Sequence, residues 1–165
     1  MSDTQGSPEL SREMVLSFLE EFRKKYEKGD DDFFDCFTPD ATFFTISSPV
    51  RIDSREEFKR SFGPAFGARV IRRSQFMAPE IRVLGGVVLV SVYNRVSIDG
   101  AITNLRGSYV IEVREGWPKI THLHNSPMPL PSTPAAPVGG ARDLERISVL
   151  EERVASAAAQ VGTPK

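Results

Sequence analysis

Residues 87–125 decide what this chain can fold into. They read V-V-L-V-S-V-Y-N-R-V-S-I-D-G-A-I-T-N-L-R-G-S-Y-V-I-E-V-R-E-G-W-P-K-I-T-H-L-H-N, rich in the valine, isoleucine, threonine and tyrosine that strands favour. Asp99-Gly100 interrupts the run, and Asp-Gly between apolar stretches is the strongest short hairpin signal. Glu115-Gly116 makes a second break, so three consecutive antiparallel strands are predicted at about 87–98, 101–114 and 118–125. Both faces of the first strand are partly apolar, so both are expected to be covered. One face carries Tyr93 and Arg95, a costly pair to bury unless they serve a purpose. The pattern predicts a pocket.

Upstream the apolar period changes from two to about four. Ser7-Pro8 reads as an N-cap followed by proline at the first helical position. Leu10, Met14, Phe18, Phe22 and Tyr26 then form one apolar helix face, which Gly29 ends. Asp30 can cap a second, short helix over 31–37 that holds Phe33, Phe34 and Phe37. Thr38-Pro39-Asp40 turns the chain into a short strand at 41–46. Ser54 and Glu57 make a capping box for a third helix, with Phe58 and Phe62 facing inward and Gly63-Pro64 as its stop. A strand at 69–78 and an extended segment at 79–84 follow, closed by Gly85-Gly86. Helices first and a run of strands after is an α+β plan.

The length of 165 residues allows one domain and a tail. The boundaries read as a disordered N-terminus at 1–7, a domain at 8–126, a proline-rich linker at 127–142 and an amphipathic C-terminal helix at 143–165. Five prolines between 126 and 140 remove backbone donors and make that stretch an extended spacer. Ile147, Leu150, Val154, Ala157 and Val161 form the apolar stripe of the last helix, which is expected to dock on the domain, on a symmetry mate or on a partner. A net charge of −1 gives no basic surface for nucleic acid. The single cysteine, Cys36, excludes an internal disulfide and fits a reducing compartment. With neither a signal peptide nor an 18-residue apolar run, the expected location is the cytoplasm, without membrane contact.

Alternation puts Tyr93 and Arg95 on one strand face, Leu105, Gly107, Tyr109 and Ile111 on one face of the next, and Thr121, Leu123 and Asn125 together on the last. If those faces coincide, the pocket is apolar with a guanidinium, two phenols and an amide, a mix suited to a small anion such as a carboxylate. The competing reading pairs Arg95 with a protein carboxylate and makes the tyrosines core filler. His122 and His124 share the opposite face with Ile120. That pair lacks a third ligand at sensible spacing, so no metal site is assigned, and no cofactor motif is present. Asp30, Asp31 and Asp32 have no EF-hand spacing after them and read as a solvated helix start. An acid–base enzyme would need a titratable group in the pocket, with Asp40, Asp53, His122 and His124 as candidates and Tyr26 and Tyr109 as oxyanion donors.

P-E-I-R-V-L-G at 79–85, Y-N-R-V-S at 93–97 and I-T-H-L-H-N-S at 120–126 resemble signature stretches of the association (hub) domain of calcium/calmodulin-dependent protein kinase II. More broadly they are similar to the SnoaL-like, nuclear transport factor 2-like superfamily, over residues 10–126. The resemblance implies a curved, mainly antiparallel sheet wrapped by three N-terminal helices into a cone. It also implies a pocket in the cone and a homo-oligomer, here a dimer, built through the outer sheet face. Of the arginines that line the hub pocket, one is similar to Arg95, while the other two positions fall on Tyr109 and Asn125. The family's tryptophan is out of phase or sits at a bulge here, with Trp117 three residues before Ile120 and Pro118 between. The expected ligand site is Tyr26, Tyr93, Arg95, Tyr109 and Asn125. Binding of a small anion, isomerase- or cyclase-type proton transfer, and a purely structural association module all remain open functions.

Overall fold

In the computed structural model of the protein, which describes residues 10–67 and 69–128, Ser11 opens the first helix, downstream of the expected Ser7-Pro8. Ser11 is extended, and its hydroxyl accepts from the Met14 amide at 3.1 Å, satisfying one of the donors a helix leaves free at its start. Helix α1 runs Arg12–Lys28 and ends at Gly29, whose φ of 75° suits a residue without a Cβ. Its buried face is Val15, Leu19 and Phe22, flanked by Met14, Phe18 and Tyr26.

The short second helix is a 3-10 helix, Asp31–Cys36, so two α-helices and one 3-10 segment stand where three helices were expected. It throws Phe33 and Phe34 into the core. Helix α2 spans Arg55–Gly67, opened by the Ser54 hydroxyl accepting from the Glu57 amide. It continues through Gly63-Pro64, which were expected to stop it. Pro64 lies near the helix end, where its missing N–H frees only the Arg60 carbonyl on an exposed side. Continuing by one turn buries Phe66, which stacks on Phe33 at 5.0 Å.

The strands are β1 Phe37–Phe44, β2 Arg72–Leu84, β3 Val87–Ile98, β4 Ala101–Arg114 and β5 Trp117–Pro127. They form one curved sheet in the order β1-β5-β4-β3-β2, antiparallel except for the parallel pair β1 and β5. β1 begins earlier than the expected 41–46, and the segments at 69–78 and 79–84 join into the single strand β2. Their seam survives as a break in pairing between Met77 and Glu80, where Ala78 adopts φ 47°.

A second irregularity fixes the faces. Ile111 pairs with Ile120 and Val110 with His122, so Thr121 is an extra, unpaired residue on β5. This bulge turns Ile120 into the core, fully buried, and leaves His122 and His124 on the outer face. Ile120 was expected beside the histidines, and Thr121 beside Leu123 and Asn125. Strand alternation fails at a bulge, which sequence periodicity does not reveal. Trp117 is not the irregular residue; it starts β5 and is 71% exposed.

The core lies between the inner sheet face and the helices. Phe22, Phe33, Phe37, Phe43 and Phe58 meet there in stacked and edge-on pairs, the closest being Phe43 and Phe58 at 4.3 Å. Aromatic pairs in this range add about 0.5–1.5 kcal/mol each beyond area burial. No helix among the described residues is long and apolar enough to cross a membrane. The spacer and helix expected at 127–142 and 143–165 lie outside the described residues from 129 onward.

Candidate functional site

The aromatic layer does not fill the space above β3, β4 and β5. A cavity of about 350 Å³ remains, walled by Phe22, Phe33, Phe58 and Phe62 from the helical side and by Val96, Leu105 and Leu123 from the sheet. Ile46, Ile98, Ala101 and Thr103 also line it and are solvent-exposed, so they form its rim. The volume falls in the range of small-molecule sites.

Its polar groups sit at one end. Tyr109 is 1% exposed on β4, and its phenol lies over Gly107, where a Cβ would come within 2.9 Å of the hydroxyl. Gly107 is thus the gap that lets the ring fold back along the strand. The Tyr109 hydroxyl donates to Asn125 Oδ1 at 3.4 Å. Asn94, 7% exposed on β3, accepts from the Ser74 hydroxyl at 2.9 Å. Burial pushes the Tyr109 pKa far above the ordinary phenol value, and the neighbouring Asn94 carboxamide offsets part of the rise. Tyr26 is likewise raised by burial, with the Arg72 charge acting in the opposite direction. Both phenols are therefore neutral donors at physiological pH.

Arg23 is the one charged side chain among the described residues lining the cavity, and it is already engaged. It forms ion pairs with Glu20 at 2.6 Å and with Glu27 at 2.8 Å. Glu27 also accepts from the Ser74 amide at 2.9 Å, tying α1 to the edge strand β2. Arg72 is 4% exposed, lies 4.8 Å from the Phe66 ring centre and donates to the Ala65 carbonyl. It braces the end of α2 and does not line the cavity.

Of the residues expected from the sequence, Tyr26, Tyr109 and Asn125 line the cavity. Tyr93 and Arg95 do not. Burial on β3 runs through Val88, Val90, Val92 and Asn94, which makes that phase the inner one and puts Tyr93 and Arg95, each half-buried, on the outer face. The expectation had the two residues together, as they are, but on the wrong side of the strand. Asn94, Ser74 and Arg23 were missed. A signal for Asn94 was available: Val88, Val90, Val92, Asn94, Val96 and Ile98 form the apolar phase of β3, and the asparagine is its single polar member.

The acid–base candidates lie elsewhere. Asp40 and Asp53 are exposed, with Arg114 at 3.7 Å from Asp40 and Arg51 paired to Asp53. His122 bonds Thr42 on the outer face at 2.8 Å, where burial and the neighbouring His124 lower its pKa. The described cavity lining contains no Asp, Glu, His or Cys. Nor do the described residues bring three such side chains together in a way that could hold a metal ion.

The family model for the SnoaL-like domain matches residues 15–131. Solved structures share the fold, among them the following three. A protein described as a calcium/calmodulin-dependent protein kinase II association domain, from Xanthomonas campestris, aligns with a TM-score of 0.65 at 18% identity, covering 78% of this chain and 96% of that one. A protein described as a dehydratase of the NTF2-like family, from Streptomyces avermitilis, gives 0.65 at 17% identity, covering 72% and 96%. The CaMKII hub of S. rosetta gives 0.60 at 21% identity, covering 73% and 99%. No curated protein matches the chain.

Proposed function

The chain belongs to the SnoaL-like domain family, and on that premise we propose that it is a homo-oligomeric domain that binds a small, neutral and mostly apolar molecule in its cavity. One observation carries this reading: the cavity of about 350 Å³ has aromatic and aliphatic walls, a cluster of neutral hydrogen-bonding groups at one end, and no carboxylate, imidazole or thiol, the groups that titrate nearest neutral pH, among its described lining residues. Proton-transfer catalysis needs such a group within hydrogen-bond reach of the substrate. The anionic ligand expected from Arg95 gives way to a neutral one for a related reason. Arg95 is on the far side of β3, and Arg23 is already held by Glu20 and Glu27, so a buried carboxylate would lack a free counter-charge.

Oligomerisation uses the outer sheet face. Leu89, Tyr93 and Val110 lie on it half-buried, beside the exposed Phe44, and likeness to a protein described as an association domain supports assembly.

The binding function is tested by melting the protein with naphthalene, a neutral probe small enough for the cavity. Binding should raise the melting temperature by linkage. Thr103→Trp puts an indole on an exposed rim position of β4, where an aromatic residue is well tolerated. That variant should fold normally and lose the naphthalene shift. A parent protein that gains nothing from naphthalene, or a Thr103→Trp variant that gains as much as the parent, refutes the function.

A further inference from the structure

We infer that the polar end of the cavity reads a hydrogen-bond acceptor, so that the ligand is an apolar molecule ending in an uncharged carbonyl: a ketone, aldehyde or ester. The inference rests on the binding function proposed above and specifies its ligand class.

The direction of the hydrogen bonds carries it. Ser74 Oγ donates to Asn94 Oδ1 at 2.9 Å, which fixes the carboxamide and turns its nitrogen away from Ser74. A carboxamide nitrogen carries two hydrogens, which are left for the cavity that Asn94 lines. The Tyr109 hydrogen in turn goes to Asn125 Oδ1 at 3.4 Å, which leaves the Asn125 nitrogen as a second donor at the same end. Both carboxamide oxygens are engaged by hydroxyls, and the open valences are N–H groups. A ligand that covers these N–H groups without accepting from them leaves them unpaired, which is costly, so a carbonyl oxygen seated there gains what an alkyl group cannot. A carboxylate would meet the same donors but bring an unbalanced charge.

The experiment compares three probes of one shape by calorimetric titration: 2-acetylnaphthalene, 2-ethylnaphthalene and 2-naphthoate. The ketone should bind about five- to tenfold tighter than the hydrocarbon, the gain expected of one net hydrogen bond, and the carboxylate should bind weakest. Asn94→Leu should reduce the ketone's advantage over the hydrocarbon to about twofold or less. Asn125→Leu, at a half-buried site, makes the same test if Asn94→Leu does not fold. Equal binding of ketone and hydrocarbon, tightest binding of the carboxylate, or an undiminished preference in the folded variant overturns the acceptor-reading inference and leaves the binding function standing. Failure of all three probes to bind overturns both.

Discussion

Replacing Gly107 with alanine adds one methyl group at the point where the polar end of the cavity is tightest. An ideal Cβ there would lie 2.9 Å from the Tyr109 hydroxyl, 3.0 Å from Asn125 Oδ1 and 3.1 Å from Tyr109 Cζ. Gly107 needs no left-handed backbone, so alanine should gain about 0.5–1 kcal/mol from reduced backbone entropy in the unfolded chain. Against this, overpacking a well-filled interior costs about 1–3 kcal/mol, and loss of the Tyr109–Asn125 hydrogen bond costs about 1 kcal/mol more. The net expectation is a loss of about 1–3 kcal/mol, or about 5–15 °C in melting temperature for a domain of this size. Urea denaturation of Gly107→Ala should be read beside Gly86→Ala, whose Cβ would meet nothing within 4 Å. The control should stay within about 0.5 kcal/mol of the parent. A Gly107→Ala protein as stable as the parent would refute the claim that Tyr109 is held down over this glycine.

Three further outcomes follow from the same geometry. Burial pushes the Cys36 thiol from 9.0 up to about 11, so its contribution is complete below about pH 9 and is lost as pH rises toward 11. Urea midpoints at pH 8 and pH 10.5 should differ by more in the parent than in Cys36→Ala, with the thiol accounting for about 2–3 kcal/mol between pH 9 and 11; equal differences would contradict this. Arg95→Ala, on the outer face, should leave naphthalene binding within about twofold of the parent; loss of binding would mean that the cavity is not the site. Val110→Arg puts a charge on the proposed subunit contact, so light scattering should find a dimer for the parent and a monomer for the variant; a monomeric parent removes the interface.

Much of the fold was readable because its signals are local. Asp99-Gly100 and Glu115-Gly116 marked both hairpins, and φ values of 48° at Asp99 and 53° at Glu115 explain why these dipeptides are suited to the turns. The phenylalanines at helical spacing marked the core. What escaped is set by non-local packing. Gly63-Pro64 reads locally as a stop, yet burial of Phe66 against Phe33 and Arg72 extends α2 past it. Thr121 carries no mark of a bulge, so Ile120 was assigned to the wrong face. In β3 both phases begin with aliphatic residues, and the inner one is decided further along, by Val92, Asn94 and Val96. That single choice of phase separated Tyr93 and Arg95 from Tyr26, Tyr109 and Asn125 and changed the expected ligand from an anion to a neutral molecule.

Nuclear magnetic resonance tests the central claim most directly, because each asparagine side chain gives its own pair of amide signals. Titration of ¹⁵N-labelled protein with 2-acetylnaphthalene should move the side-chain pairs of Asn94 and Asn125 together with the backbone amides of Leu105 and Leu123, while Tyr93 and Arg95 on the outer face stay in place. Shifts confined to the outer face, with both asparagine pairs unmoved at saturation, would contradict the cavity as the binding site.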